Sequence, residues 1–234
     1  VTARRNLRRY HVWLGWIAAI PVLLWVVSGL VMVWKPIEEV RGMGLLRELA
    51  PIRLAGTPIP PRLAGVPLSS LALEQRAAGP RWVVKLADGT TRLANPDTGL
   101  LLPPVSAADA VREVTARYAG EGKVRAIART SKDAPPLDLR RPIAAWQVTM
   151  DDGTRFYVDA ASGQVVATRT RWWRFYDLMW GLHIMDPVTR EDTHNPFVIA
   201  FGVLALAMAV LGTIVLPLTL RRKRGANGSR SEPG

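Results

Sequence analysis

The chain has 234 residues, 49 % of them hydrophobic, with a net charge of +12 and no cysteine. Disulfides, thiolate catalysis and cysteine-ligated metals are therefore excluded. No base-reading motif or aromatic stacking signature accompanies the positive charge, so nucleic acid is not an expected partner.

Residues 12–34 contain no Asp, Glu, Lys or Arg. At a rise of about 1.5 Å per residue such a run crosses the ~30 Å hydrocarbon layer of a bilayer. Arg4, Arg5, Arg8 and Arg9 precede it, Trp13 and Trp16 fall at one interface, Trp34 falls at the other, and Pro21 predicts a kink. The run is longer than the ~7 to 15 apolar residues of a signal peptide and has no small-residue cleavage site, so it reads as an uncleaved anchor. A second uncharged run covers residues 197–220 and is followed by Arg221, Arg222, Lys223 and Arg224. Each end carries +4, and residues 35–195 carry only +4 of the total. Cationic flanks stay in the cytoplasm. The expected topology is thus an inner (plasma) membrane protein with both termini cytoplasmic, residues 35–195 extracytoplasmic, and the lipid bilayer, anionic headgroups included, as a partner.

Between the two runs, residues 35–67 are rich in Pro and Gly and read as a linker with one short helix. Residues 68–104 and 105–170 contain an internal repeat at an offset of 64: Trp82 matches Trp146, Asp88-Gly89-Thr90 matches Asp152-Gly153-Thr154, Asn95 matches Asp159, and Gly99 matches Gly163. Asp-Gly supplies the positive φ of a tight hairpin, so each copy predicts strand, turn, strand, turn, strand. Ser106 can cap a helix to Tyr118 with Ala110, Val111, Val114 and Tyr118 as its apolar stripe, and residues 124–130 predict a further strand. In the first copy, residues 71–76 predict only a short helix before Trp82. Asp88, Asp151 and Asp152 read as turn residues.

Residues 171–195 open with an aromatic helix in which Trp172, Tyr176, Met179 and His183 share a face, while Arg169, Arg171 and Arg174 cluster at its start. It reads as an interfacial helix in the outer headgroup region. Asn195-Pro196 predicts an N-cap and first helical position for residues 196–220, ahead of a cytoplasmic tail, 221–234. Gly202, Ala205, Ala209 and Gly212 form a narrow strip of small residues, and Gly15 with Ala19 a similar pair, faces through which a neighbouring helix or a second copy in a homodimer could pack.

Three histidines are the candidate cofactor ligands. His11 lies at the cytoplasmic mouth of the first apolar run and His194 at the opposite side, too far apart to share one iron. Two ligand arrangements remain, His11 with its copy in a homodimer, or His183 with His194 at the outer face, for haem or another metal. The bland alternative is that all three are interfacial hydrogen-bonding residues. Glu191, Asp192 and His194 could also meet in a loop, although no metal motif matches them. No nucleophilic triad, phosphate loop or nicotinamide fingerprint is present, so an independent enzyme is not expected.

The second repeat, with its helix, strand, Trp146-x-Val148, Asp152-Gly153-Thr154, Tyr157-Val158-Asp159-Ala160 and Gly163-x-Val165, resembles the PepSY domain. The ends agree: Arg9-Tyr10-His11-Val12-Trp13-Leu14-Gly15 and Gly181-Leu182-His183 are similar to elements of PepSY-associated transmembrane proteins. Many of those relatives carry four spans and this chain has two. The resemblance implies an α+β membrane protein in which two transmembrane helices flank an extracytoplasmic module, a helix packed on an antiparallel sheet with a second hairpin repeat. It also implies two functions, binding or regulating an envelope protein partner without catalysis, or carrying b-type haem as an accessory subunit in ferric or siderophore reduction, with no catalytic residues of its own.

Overall fold

The computed structural model describes residues 2–63 and 65–228, with side chains for residues 9–63 and 65–214. The arginine and lysine side chains of the two basic ends, except Arg9, lie outside the described residues, as does the final stretch with Arg230 and Glu232. The chain divides into two compact units, Lys35–Phe175, and Val1–Trp34 with Tyr176–Gly234.

The unit Lys35–Phe175 is built on hairpins. After two short turns of helix, α2 (Ile37–Val40) and a 3-10 turn (Met43–Leu45), the chain forms β1 (Leu68–Arg76), β2 (Gly79–Leu86) and β3 (Thr91–Ala94), an antiparallel sheet in that order. Helix α3 (Ala107–Arg117) follows, then a second antiparallel sheet of β4 (Val124–Thr130), β5 (Ala145–Met150), β6 (Arg155–Asp159) and β7 (Val165–Arg169). Ser106 caps α3 through a capping box with Asp109, an arrangement that typically contributes about 1 kcal/mol. Ala110 and Val114 of α3 then meet Val148, Met150, Phe156 and Val158 of the second sheet in one buried cluster.

The repeat is a repeat of hydrogen bonds. Asp88 Oδ1 accepts from the Thr90 amide at 2.8 Å, and Asp152 Oδ1 accepts from the Thr154 amide at 2.7 Å. Further on, Asn95 Oδ1 accepts from Asp97 N at 2.7 Å and Asp159 Oδ1 from Ala161 N at 2.9 Å. Gly89 and Gly153 take φ of 84° and 83°, and Gly99 and Gly163 take 67° and 69°, the region where a Cβ is penalised. The third strand of the first copy shrinks to a single bridge, Ala94 with Leu101.

Residues 71–76 are strand, not the helix their composition predicts. They pair with β2 through Leu71 with Val84 to Arg76 with Gly79. Leu, Ala, Glu and Gln favour helix by only tenths of a kcal/mol each, and a paired sheet edge outweighs that preference. The strand is fixed to the second copy at its far end: Arg76 Nε donates to Ser162 O at 3.1 Å, and buried Glu113 of α3 accepts from Ala77 N at 2.7 Å.

The other unit contains α1 (Thr2–Val33) and α5 (Pro196–Gly228), with the loop that leads into α5. Both helices are long and apolar enough to cross a membrane, over Arg9–Val33 with mean hydropathy 2.3 and Pro196–Ile214 with 2.6. They pack on each other antiparallel: a Cβ on Gly15 would sit 3.5 Å from Met208, and one on Gly212 would sit 3.5 Å from His11. Two of the small residues thus serve contact within the chain, whereas Gly202 has open space around it. Asn195 caps α5 as its sequence predicts, accepting from Val198 N at 3.1 Å, while its Nδ2 donates to Ile184 O and Asp192 O at 2.8 Å each.

Candidate functional site

Helix α4 (Arg171–His183) begins in the hairpin unit and ends among the long helices. Thr170 caps it, its hydroxyl accepting from Trp173 N at 2.8 Å. At its far end the His183 ring lies on α1. It stacks on Trp25 with centroids 4.8 Å apart and planes 17° apart. The approach needs a glycine, because a Cβ on Gly29 would stand 3.2 Å from His183 Cε1.

Hydrogen bonding at Nδ1 favours one tautomer of the neutral ring. His183 Nδ1 lies 3.0 Å from Ser28 Oγ and 3.1 Å from Trp25 O, and the Ser28 hydroxyl itself lies 3.0 Å from Trp25 O. A carbonyl can only accept. If the single hydroxyl proton of Ser28 goes to Trp25 O, both neighbours of Nδ1 are acceptors, so a neutral ring carries its proton on Nδ1 and leaves the lone pair on Nε2. That is the form in which imidazole ligates a metal, its other nitrogen held by a backbone carbonyl.

The other two histidines take no part in this contact. His11 sits 14 residues before Trp25 on α1, about 21 Å along a helix, and its buried Nδ1 has no hydrogen-bond partner among the described residues. His194 is exposed, and its contacts stay within its own loop: its amide donates to Asp192 Oδ1 at 2.9 Å and its Nδ1 lies 3.3 Å from Thr193 Oγ1. His183 and His194 share no hydrogen-bond partner, and among the described residues no group of three His, Asp or Glu side chains could hold a metal. Glu191, Asp192 and His194 are surface residues of a loop organised around Asp186. The Asp186 carboxylate accepts from the Thr189 hydroxyl and from the amides of Val188, Thr189, Glu191 and Asp192. Those bonds, the Thr189 hydroxyl first, hold its carboxyl well below the ordinary range.

Arg190 closes the same loop over α4. With φ of 58° it pairs with buried Asp177 at 2.7 Å, and Gly181 leaves room for its stem, which a Cβ there would meet at 2.7 Å. In the hairpin unit a cleft of about 170 Å³ is lined by Arg76, Arg81, Asp109 and Glu113 with Leu93 and Val105. Its arginines stand beside acids of the chain, Arg76 paired with Glu74 and bonded to Ser162 O, and Arg81, bonded to Pro80 O and Ala78 O, near Asp109. Sequence reasoning placed His183 on the aromatic helix. It missed Ser28 and Gly29, whose only signal is a small polar and a small apolar residue side by side late in an apolar run.

No family model, no curated protein and no solved structure matches the chain.

Proposed function

We propose that the chain is a PepSY-like protein anchored in the inner membrane by two spans, with residues 35–195 outside the cytoplasm, and that it binds an envelope protein partner through strand β1. The edge itself carries the reading. β1 is 9 residues long and outermost in its sheet. Its first half, Leu68, Ser69, Ser70, Leu71 and Ala72, is exposed, uncharged and free of proline. Soluble proteins normally blunt such edges, since an unpaired row of amides and carbonyls is a template for an added strand. The membrane part is supported by the faces of α1 and α5, whose most apolar windows are 11 % and 0 % buried. The PepSY part is supported by α3 on its antiparallel sheet and by the repeated turns. A photo-crosslinker at Ser70 of the full chain in cells is expected to trap one envelope protein, and Leu71→Lys to remove that adduct. A crosslinker at exposed Thr115 is the control. Equal trapping from both positions, or none from Ser70, overturns the reading.

A second reading, a b-type haem-carrying electron-transfer subunit for iron-siderophore reduction, is favoured by one observation, the anchoring of His183 through Nδ1 to Ser28 Oγ and Trp25 O. The fit to haem is partial, because one chain supplies one oriented nitrogen. Bound haem supplies one-electron chemistry. Here Ser28 and Trp25 orient the imidazole and Gly29 admits it. Membranes from haem-sufficient cells would show a Soret band that His183→Ala abolishes; no band removes this option.

A further inference from the structure

We propose that Arg155, Arg171 and Arg174 form a binding site for the phosphodiester of an anionic phospholipid headgroup. The inference rests on the membrane reading above and adds to it a specific ligand.

Two guanidinium groups, those of Arg171 and Arg174, meet at the β5–β6 turn, and Arg155 lies near enough to repel Arg174. Arg174 donates to Gly153 O at 3.0 Å and to Arg169 O at 3.1 Å. Arg171 lies across the same glycine, so close that a Cβ on Gly153 would stand 2.5 Å from Arg171 Nε. Arg155 follows two residues later and reaches Asp138 at 3.1 Å. Asp138 is already shared, its other oxygen accepting from the Tyr157 hydroxyl at 2.6 Å. Neither Arg171 nor Arg174 makes an ion pair within 4 Å among the described residues, although the Asp152 carboxylate of the same turn attracts Arg171 from farther off, and the first turn of α4 has no acid. Cations at a helix N-terminus oppose the helix dipole. Burial, then repulsion from Arg155 and Arg171, depresses the Arg174 pKa, against the partial relief that Asp138 gives. An anion bound at this turn relieves all of these at once. Arg140 and Arg169 are engaged elsewhere, with Arg169 stacked 4.1 Å over Trp173 and Arg140 at 5.8 Å from the same ring.

The contact of the cluster's helix with Lys35, the residue that follows the first apolar run, points to lipid as the source of that anion. Trp172, next to Arg171, lies 5.4 Å from the Lys35 ammonium, and Lys35 comes two residues after the end of α1 at Val33. If α1 spans the bilayer, Trp172 and Lys35 mark its outer surface, where aromatic rings and basic side chains meet headgroups. Arginine suits the task because its planar fork bonds two phosphate oxygens together.

The test uses the full chain purified in a neutral detergent. Short-chain phosphatidylglycerol, short-chain phosphatidylcholine and inorganic phosphate are titrated separately, with binding read by native mass spectrometry and by thermal shift. Phosphatidylglycerol is expected to bind more tightly than phosphatidylcholine, and Arg171→Ala with Arg174→Ala to weaken it roughly five-fold per arginine removed. Arg53→Ala is the control for loss of charge, and circular dichroism checks that each variant is folded. Arg171→Lys keeps charge without the fork, so it is expected to recover only part of the affinity if the double variant does not fold. Phosphatidylglycerol binding that is unchanged in these variants, or matched by phosphatidylcholine, overturns the site. Tight binding of inorganic phosphate alone, lost with the same arginines, overturns lipid as the source. Carbonate extraction of cell membranes separates the two readings: a chain released by carbonate sinks the membrane anchor itself, whereas a retained chain without lipid preference sinks only this proposal.

Discussion

The two hairpin copies keep the same turns but not the same core. At the offset of 64, Val84 and Val148 are both fully buried, and Ala94 and Val158 likewise. Between them Phe156, fully buried under α3, corresponds to Arg92, which is exposed. The second copy has a helix to cover that face and fills it with an aromatic ring; the first has none, and a charged side chain takes the place. Turn chemistry is dictated locally by backbone geometry, so it survives in both. A core position is dictated by what lies above it, so it diverges.

The sharpest way to break this comparison is to cut both matched positions back to alanine. Phe156→Ala should cost about 3–5 kcal/mol, since a large cavity opens beneath α3, while Arg92→Ala should stay within about 0.5 kcal/mol. Denaturant unfolding of the detergent-solubilised chain measures both, and similar losses would mean that the first sheet has a hidden cover. The turns give the next largest contrast. Gly89→Ala and Gly153→Ala each force alanine to φ near 84°, at a cost of about 1–2 kcal/mol. Gly89 has open space around it, but at Gly153 the new methyl also meets Arg171. Gly153→Ala is therefore expected to destabilise more, and to disturb Arg171, which thermal scans and phosphatidylglycerol binding read separately.

The smallest effect concerns pH. Asp152, unlike Asp88, accepts a bond from a tyrosine, Tyr118 Oη at 2.8 Å. Burial first, and then this carboxylate, push Tyr118 from 10.0 up to about 12. The folded value lies above the unfolded one, so the contribution is complete below pH ~10 and is lost as pH rises to about 12. The tyrosinate absorbance of the chain minus that of Tyr118→Phe should therefore titrate near 12, not 10; a midpoint at the ordinary value would mean that the bond to Asp152 does not form in solution.

What could be read in the sequence follows the same division. Asp-Gly and Asn-x-x-x-Gly announce their turns, Ser106 and Asn195 announce their helices, and two uncharged runs announce α1 and α5. Residues 71–76 misled because their tie to β2 passes through Ala77 and Ala78, which carry no turn signal, and only Gly79 at φ 101° hints at it. The place of His183 was legible on its own helix. Its partners were not, because they depend on the rotation of α1 beneath it. Arg169, Arg171 and Arg174 stood out as a cluster, yet the meeting of Arg171 and Arg174 at Gly153 needed the sheet to bring the turn to them.

One carboxamide ties the start of α5 to the loop before it. Were Asn195 to age into aspartate, as asparagines do through attack by the next backbone nitrogen, its oxygen could still cap Val198, but both donations, to Ile184 and Asp192, would vanish. Pro196 follows, and its tertiary nitrogen has no hydrogen to lose in closing the succinimide ring. The imino acid that starts the helix therefore also shields its neighbour from that route of deamidation.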